Sequence, residues 1–372
     1  MKLLFAARAI DRMAGGVERM IITVMNAMVA RGHEVDLFTW DQAGAQAFYQ
    51  MAPEITWHRL DMGDPSVAAS KRLMLERAAA VRSLVKQRRP QVIVAFQDGP
   101  FRALRAYCMG LGIPVIAAER NAPTRFDHTR RGRRLRPIIF NSFRLAKSII
   151  VQCEAYQQLY PLYLRDRILT IPNPVSPARL TARPDEPDKF GRFRILSVGR
   201  LSYQKNYESL VNAFSQIAGV FPQWDLVIVG EGELRGKLHD MIMEAGLSDR
   251  IHLPGTVADP GDHYASAHLF CLPSRWEGFP NALAEAMAHG LPAVGFADCA
   301  GVNQLIEPGR NGILGKGNGD FGSLAEALSS LMSDNQLRRQ MGDQGRQITG
   351  AFAPEAVMDR WESVLALSTS TL

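Results

Sequence analysis

Short runs of apolar, β-branched residues alternate with longer amphipathic stretches along the whole chain. In the first half these runs are Leu3–Ala7, Val35–Trp40, Val92–Phe96, Val115–Ala118 and Ile149–Gln152. In the second half they are Ile195–Val198, Leu226–Val229, Ile251–Leu253, Leu269–Leu272 and Ala293–Phe296. Between several runs the apolar residues recur at helical spacing, as in Val17–Ala30. This alternation predicts two parallel sheets with helices on both faces, that is, two doubly wound α/β domains.

A proline-rich segment separates the two series of runs. Prolines stand at positions 172, 174, 177, 184 and 187. This density forbids a continuous helix or a central strand, because proline lacks the backbone donor that both need. We therefore predict an N-terminal domain over residues 1–175, a second domain over 176–354, and a C-terminal helix over 355–372 that packs back toward the first domain. Ligands are expected at the carboxyl ends of the strands.

The formal charge is divided unequally between the two halves. The net charge is +6, but residues 1–178 carry +12 and residues 179–372 carry −6. A basic half favours an anionic partner such as a nucleic acid, a membrane surface or a phosphorylated acceptor.

The four cysteines are scattered and form no CxxC pair, which is typical of a protein in a reducing cytoplasm. No run of eighteen apolar residues is present, so no membrane-spanning helix is predicted.

A glycine-containing turn follows the first strand of each of the two series. One is Ala14-Gly15-Gly16-Val17-Glu18, where glycines allow a ligand to approach the backbone and the helix start favours an anion. The other contains Gly199-Arg200 and, shortly after, Lys205-Asn206. Arg200 can bind a phosphate at two points and Lys205 adds a compact charge, so the pair suits a diphosphate. The alternatives are an ordinary tight turn and two solvated surface cations.

A longer motif extends from Ser274 to Gly290. Pro280 is expected in the first turn of a helix and Gly290 at its end. Glu277 lies in the loop before this helix and Glu285 lies one turn inside it, so both could face one ligand. The alternative is an exposed loop glutamate and a solvated helix glutamate, although the helix is otherwise strongly apolar.

In this order and spacing, the motifs resemble the retaining GT-B glycosyltransferases called glycosyl transferases group 1, relatives of glycogen and sucrose synthases. Further segments that carry the resemblance are Ala30–Val35, Ile171–Val175, Val229–Gly232, His252–Gly255 and Cys299–Asn303. The resemblance covers nearly the whole chain. It implies the GT-B fold, in which two Rossmann-like doubly wound domains face a cleft.

The resemblance also implies roles for individual residues. Arg200 and Lys205 would stabilise the leaving diphosphate, Glu285 would hold the ribose hydroxyls, and Glu277 would approach the transferred sugar. Arg200, Lys205 and Glu277 form the expected catalytic set. The other expected donor-binding positions are Gly15, Gly16, Gly230, Val257, Gly278, Phe279, Pro280 and Asn281.

Many members of this family carry a histidine in the N-terminal domain after the strand that corresponds to Pro114–Ala118. This chain has Glu119-Arg120-Asn121-Ala122-Pro123 there, so Arg120 or Asn121 would take the place of the histidine, or His128 would. The histidines form no metal-binding motif, and cationic side chains can neutralise the leaving group. We therefore expect neither a metal nor another cofactor.

Eight cationic side chains are concentrated between residues 125 and 147, opposed only by Asp127. They are interleaved with Leu135, Ile138, Ile139, Phe140 and Phe143. Such a basic amphipathic segment suits an anionic bilayer surface, and the alternative is a solvated basic face. Aromatic platforms for nucleic acid are sparse, so no nucleic acid is expected. The predicted location is cytoplasmic, peripheral on the inner face of the cell membrane.

The expected activity is retaining transfer of a hexose or N-acetylhexosamine from a nucleotide diphosphate sugar, UDP-linked, to a glycan or lipid-linked acceptor in surface-glycan biosynthesis. Two alternatives remain open at this point. One is a sugar-nucleotide epimerase of the same architecture. The other is a non-catalytic protein that binds nucleotide sugars, since a fold alone does not establish a function.

Overall fold

The computed structural model describes residues 1–65, 67, 69–317 and 319–369 of the 372-residue chain. It divides into two compact units. Unit 1 comprises Met1–Asn173 together with the chain from Glu355 onward, and unit 2 comprises Pro174–Pro354. The contacts therefore divide the chain at residue 173, inside the proline-rich segment, where the sequence-based boundary lies at 175.

Unit 1 is built on a parallel sheet of the order β3-β2-β1-β4-β5-β6-β7 among the described residues. The strands are β1 Lys2–Ala7, β2 Glu34–Thr39, β3 Thr56–Arg59, β4 Val92–Phe96, β5 Val115–Ala118, β6 Ile149–Val151 and β7 Ile168–Thr170. The helices are α1 Gly16–Ala30, α2 Lys71–Arg88, α3 Asp98–Tyr107, α4 Arg130–Ser142, α5 Ala155–Leu159 and α6 Leu162–Arg165. Every residue of β4 and β5 is buried, as expected for central strands covered on both faces.

Unit 2 repeats this design with the order β10-β9-β8-β11-β12-β13 in its described part. The strands are β8 Phe193–Val198, β9 Trp224–Val229, β10 Ile251–Gly255, β11 Leu269–Leu272, β12 Ala293–Phe296 and β13 Gly312–Gly315. The helices are α7 Tyr207–Ile217, α8 Arg235–Glu244, α9 Gly261–Ala265, α10 Asn281–Ala288, α11 Phe321–Ser333, α12 Asn335–Gly345 and α13 Ile348–Ala351. Two apolar clusters, one on each face of the sheet, form its core.

The last helix, α14 (Pro354–Thr369), returns to unit 1. Its buried residues Val357, Met358, Trp361 and Leu365 belong to the apolar core of unit 1. The Trp361 ring stacks on Phe96 of β4, with ring centroids 6.0 Å apart. Within the described residues, no helix is long and apolar enough to cross a membrane.

The structure exposes only some of the apolar residues of the basic segment, which differs from the sequence-based interpretation. Ile139, Phe140 and Phe143 are buried in unit 1, so the expectation that they belong to an exposed amphipathic face is wrong. The reason is that this side of α4 packs inward, where the Phe140 ring stacks on Tyr160 with centroids 4.8 Å apart. Leu135 and Ile138 are exposed, as expected.

Exposed apolar residues from a neighbouring segment extend this surface. A groove of about 400 Å³ lies between α4 and residues 159–163 and is lined by Arg136, Pro137, Phe140, Leu159, Tyr160, Pro161 and Tyr163. Leu162 and Tyr163 are exposed beside it, and the Arg144 guanidinium lies 5.5 Å from the centre of the Tyr163 ring. Leu135, Ile138, Leu162 and Tyr163, with the exposed Arg130, Arg131, Arg134 and Arg144, are called the α4 surface below.

Candidate functional site

Three predicted site residues of unit 2, Arg200, Lys205 and Glu277, lie on loops at the switch point of its sheet. Strands β8 and β11 are neighbours, and the chain continues from them toward opposite edges of the sheet. Loops that leave the carboxyl ends of two such strands diverge and leave a crevice, where α/β proteins bind ligands. The loop after β8 carries Arg200 and Lys205, and the loop after β11 carries Glu277.

Lys205 and Glu277 form a largely buried ion pair across this switch point. The Nζ atom of Lys205 donates to Oε1 of Glu277 at 2.6 Å, and the Oγ atom of Ser274 donates to the same oxygen at 2.6 Å. The Glu277 side chain is 6% exposed and that of Lys205 is 17% exposed. Hydrogen bonds to an ionised carboxylate are short and strong. The carboxylate and the ammonium group are therefore held in place at the ends of β8 and β11 in the free protein.

Arg200 lies on the same loop as Lys205 but differs from it in exposure and in its contacts. Its side chain is exposed, and within the described part of the chain it makes no hydrogen bond and no ion pair. A guanidinium group offers several donors in a planar arrangement that matches phosphate oxygens. Arg200 is therefore available to a ligand anion without first breaking a contact with the protein.

Asn206 joins the two loops. It is fully buried and adopts the left-handed helical conformation, with φ 55° and ψ 37°, which asparagine tolerates better than most residues. Its Nδ2 donates to the carbonyl of Pro273 at 3.1 Å, and its Oδ1 accepts from Nη2 of Arg275 at 2.6 Å. The side chain of Gln204 also donates to the carbonyl of Trp276 at 2.9 Å. These bonds hold the loops in one arrangement, which fixes the position of the ion pair.

Glu285 is positioned by a tyrosine that the sequence analysis missed. The hydroxyl of the buried Tyr264 on α9 donates to Oε2 of Glu285 at 3.0 Å. No local sequence signal points to Tyr264, since it lies 21 residues earlier on another helix. Ser274 belongs to the predicted motif from Ser274 to Gly290, but the sequence analysis assigns it no role. Its position shortly after the end of β11 is the signal that could have identified it.

The helix that carries Glu285 begins one residue later than expected. Pro280 stands at the N-cap with ψ 74°, outside the helical region, and α10 begins at Asn281. The expectation that Pro280 occupies the first helical turn is therefore wrong by one residue, although proline still marks the helix start. Gly290 follows the C-cap with φ 86°, a conformation that favours glycine.

The other donor positions in unit 2 lie on loops at the same edge of the sheet. A Cβ atom on Gly230 would lie 2.0 Å from the carbonyl oxygen of Gly199, so glycine is required where the loop after β9 passes the loop after β8. Val257 follows β10 and packs partly against the core. Gly278 and Phe279 are buried in the loop after β11. The Phe279 ring packs against Phe352, with centroids 5.7 Å apart, so only its backbone is available to a ligand.

Gly15 and Gly16 lie at the start of α1 in unit 1. Gly15 is the N-cap and provides no side-chain cap, and α1 begins at Gly16. A Cβ atom on Gly15 would lie 2.0 Å from Oε2 of Glu18, so a side chain at this position would displace the flexible Glu18 carboxylate. The start of an uncapped helix favours an anion.

Arg120, one of the two expected helpers in unit 1, is buried. Its guanidinium lies 6.0 Å from the centre of the Phe96 ring and 5.9 Å from that of Trp361, and Nη2 donates to Oδ1 of Asn173. Burial lowers the pKa of Arg120 to about 9. The Nε and Nη1 atoms have no partner among the described residues. Asn121, the other candidate, is partly buried and accepts from the amide of Ala122 at 3.0 Å.

A buried ionic network lies at the ends of β4 and β5 and was not predicted. Arg125 donates to Oε2 of Glu119 at 2.9 Å and to Oδ1 of Asp98 at 2.7 Å. Glu119 is almost fully buried, and this desolvation raises the pKa of its carboxyl group. Arg125 was counted with the basic surface segment, and that assignment is wrong because the side chain bridges two carboxylates inside unit 1.

Metal-ligating side chains are not clustered in the described residues. No group of three or more His, Cys, Asp or Glu in these ranges is arranged to hold an ion. Whether the reaction needs a metal stays a prediction.

Two family models match successive parts of the chain. The model described as Glycosyltransferase Family 4 matches residues 14–179, and the model described as Glycosyl transferases group 1 matches residues 179–348. Together they span both units and the junction between them.

Full-length relatives and solved structures agree with these matches. An uncharacterized glycosyltransferase of Haemophilus influenzae is 28% identical over 358 residues, covering 95% of this chain and 96% of the relative. A Campylobacter jejuni α-1,4-N-acetyl-D-galactosaminyltransferase, named for a diphospho-undecaprenol-linked GalNAc acceptor, is 23% identical and covers 98% of both chains. The structure of Anabaena HepE in complex with UDP and glucose has a TM-score of 0.78 at 18% identity, covering 98% of this chain and 99% of that one.

Proposed function

Because the chain belongs to the glycosyl transferases group 1 family and has the GT-B fold, we propose that it is a retaining glycosyltransferase that uses a UDP-linked sugar. The transferred sugar is a hexose or an N-acetylhexosamine, and the acceptor is a glycan or a lipid-linked saccharide. The observation that carries this proposal is the arrangement of Arg200, Lys205 and Glu277 at the switch point of the unit 2 sheet, with Glu285 on the helix that follows.

In this proposal, unit 2 holds the donor. Arg200, without a partner in the described part of the chain, binds the diphosphate and Lys205 adds a second positive charge, so the charge that develops on the leaving group is stabilised. Glu285, steadied by Tyr264, accepts hydrogen bonds from the ribose hydroxyls. Glu277 lies beside the transferred sugar. The uncapped start of α1 at Gly16 is a further anion-binding position, on unit 1 itself.

The chemical step is substitution on one face of the donor sugar. The acceptor hydroxyl attacks the anomeric carbon from the side on which the diphosphate departs. The bond from that carbon to the phosphate oxygen breaks, and this oxygen takes the proton of the hydroxyl. The protein mainly aligns the two substrates and stabilises the leaving group. Two cationic side chains can do this without a metal, so EDTA should leave the rate unchanged.

The nature of the relatives supports a lipid-linked acceptor. The Campylobacter jejuni relative is named for an acceptor carried on diphospho-undecaprenol, and another relative, 25% identical over 95% of this chain, is named for lipopolysaccharide core biosynthesis. An acceptor of this kind is anionic and lies at a bilayer surface. Such substrates fit the role in surface-glycan biosynthesis that we propose for this chain.

The α4 surface is the part of unit 1 that we propose to contact the membrane. It combines four exposed arginines with the exposed apolar residues Leu135, Ile138, Leu162 and Tyr163. Each arginine near an anionic leaflet contributes about 1 kcal/mol. Four arginines with a few inserted apolar side chains are enough for reversible peripheral attachment on the cytoplasmic face.

The test of the activity is release of UDP from UDP-glucose, UDP-galactose, UDP-N-acetylglucosamine and UDP-N-acetylgalactosamine, each with and without a polyprenyl-diphosphate-linked saccharide. We expect UDP release to depend on the acceptor, and NMR of the product to show the anomeric configuration of the donor. Conversion of one UDP-sugar into another without acceptor would indicate an epimerase. Binding of UDP without any turnover would indicate a non-catalytic protein.

The membrane proposal is tested by co-sedimentation with phosphatidylserine-containing vesicles. Changing Arg130, Arg131 and Arg134 to serine should weaken binding by about a hundredfold at low salt, and wild-type binding should fall as salt is raised. The control changes three exposed cations of unit 2, Arg179, Lys189 and Lys316, to serine and so removes the same charge. Equal binding by the two triple variants would assign the attraction to net charge alone.

A further inference from the structure

Gln97 connects β4 to α3 at the switch point of the unit 1 sheet. From this point the chain continues through β1, β2 and β3 toward one edge and through β4 to β7 toward the other. In unit 2 the strand at the corresponding place is β11, and its loop carries Ser274 and Glu277. The crevice at a switch point is where such sheets bind ligands, so the first residue after β4 is placed to meet a substrate.

The backbone of Gln97 has a conformation that glycine adopts freely and other residues do not. Its φ is 72° and its ψ is 161°. Arg89 and Asn206, which also have positive φ, lie instead in the left-handed helical region, with ψ values of 56° and 37°. Non-glycine residues persist in the region of Gln97 only where their surroundings impose it, and such residues concentrate at functional sites.

Contacts on both sides of Gln97 impose this conformation. Its amide donates to the carbonyl of Ala118 at 2.9 Å, and its carbonyl accepts from the amide of the buried Phe101 at 3.2 Å. The next residue, Asp98, is held by the Arg125 guanidinium at 2.7 Å, which also binds Glu119. The buried ionic network therefore fixes the backbone from which the Gln97 side chain projects.

The side chain of Gln97 is not fixed by polar contacts in the described part of the chain. It is partly exposed and makes no hydrogen bond with the residues that the structure describes. Glycine at this position would relieve the strain without losing a hydrogen bond to the described residues. A primary amide carries two donors and one acceptor, which suits a hydroxyl group that both donates and accepts.

We propose that the side-chain amide of Gln97 binds a sugar hydroxyl of the substrate. This proposal rests on the glycosyltransferase activity proposed above. Because unit 2 holds the donor in that proposal, the hydroxyl belongs to the acceptor saccharide. Gln97, and not the buried Arg120, is then the residue of unit 1 that binds this hydroxyl.

Three substitutions separate the side chain from the backbone strain. Gln97→Met keeps the length and the strained backbone and removes the amide. Gln97→Ala also keeps the strain, whereas Gln97→Gly relieves it. We expect each variant to lower kcat/KM about tenfold, the scale of one lost hydrogen bond, and we expect Gln97→Gly to melt about 2–4 °C above Gln97→Ala. Arg89→Gly, at a positive-φ position that ends α2, is the control and should keep wild-type kinetics.

The kinetics are measured with the UDP-sugar and polyprenyl-diphosphate-linked saccharide on which the wild type turns over, and slow hydrolysis of the UDP-sugar is measured without acceptor. A rise in acceptor KM with unchanged hydrolysis places the hydroxyl on the acceptor. A parallel loss of hydrolysis would contradict the assignment of the hydroxyl to the acceptor. Wild-type kcat/KM in Gln97→Met would overturn the assignment of Gln97. Absence of turnover by the wild type would instead refute the proposed function.

Discussion

Replacing Arg200 or Lys205 by alanine removes one positive charge from the same loop, but the two changes should affect the free protein differently. Arg200 is exposed and makes no hydrogen bond or ion pair with the described residues. Lys205 donates to Glu277 at 2.6 Å, and the Glu277 carboxylate is only 6% exposed. Lys205→Ala therefore removes a counter-ion from a buried charge, whereas Arg200→Ala breaks no ion pair of the described residues.

The expected magnitudes follow from this contrast. Breaking a buried ion pair costs about 3–5 kcal/mol, and we take the lower end because water can reach the 17% of Lys205 that is exposed. For a unit of this size, about 3 kcal/mol corresponds to a fall in Tm of roughly 6–12 °C. Arg200→Ala should leave Tm unchanged to within about 2 °C, as surface substitutions usually do. Both variants should lose about a hundredfold or more in kcat, the scale of one preorganised charge stabiliser.

The assay combines thermal unfolding with UDP-release kinetics on the same preparations. Arg200→Lys is the matched variant, since it keeps the charge but loses the planar set of donors, and its kcat should lie between those of wild type and Arg200→Ala. Turnover at the wild-type level in a folded Arg200→Ala protein would remove Arg200 from the mechanism. Equal losses of Tm in the two alanine variants would contradict the conclusion that only Lys205 is engaged before the substrate binds.

Three further outcomes are expected. Glu285→Ala should weaken UDP binding by about 1.5–3 kcal/mol, the value of hydrogen bonds to a charged group, whereas Glu277→Ala should spare UDP affinity and damage turnover; calorimetry that found the reverse order would exchange their roles. Trp361→Ala should destabilise unit 1 by about 3–5 kcal/mol, measured by urea unfolding, and a much smaller loss would mean that α14 contributes little to the core. Burial lowers the pKa of His268 to about 4 from 6.5. Between pH 4 and pH 6.5 the unfolded chain therefore binds more protons at His268 than the folded protein does. The free energy of unfolding should then fall by about 3 kcal/mol as the pH decreases through this window. His268→Gln should flatten this pH dependence, and an unchanged dependence in that variant would assign it to other groups.

The interior of both sheets could be predicted from the sequence because central strands must be apolar along their whole length. Strands β3, β7 and β13 were missed, and each is an edge strand of its sheet. An edge strand is covered on fewer sides, so its sequence need not be an apolar run, as Thr56-Trp57-His58-Arg59 in β3 illustrates. The pattern that predicts parallel strands is therefore weakest where a sheet ends.

The candidate site could be predicted from the sequence only where its residues belong to a recognisable local pattern. Arg200, Lys205 and Glu277 lie in loops that follow predicted strands, and Glu285 lies on the helix after one of these loops, so the sequence pattern could identify all four. Tyr264 reaches Glu285 only through the fold, and the backbone angles of Gln97 depend on contacts with residues beyond β4. Neither feature leaves a signal in neighbouring residues.

The return of α14 to unit 1 has a consequence for how the protein is made. The core of unit 1 needs Trp361 and its neighbours on α14, but these residues leave the ribosome only after the whole of Pro174–Pro354. That segment is about 180 residues long, and at roughly 5–20 residues per second its synthesis takes roughly 10–40 s. During this time Phe96 lacks the ring that stacks on it, while unit 2, encoded without interruption, can already fold. The first half of the gene thus specifies a unit that is the last to be completed, and a chain that stops before α14 carries an exposed apolar surface where that helix belongs.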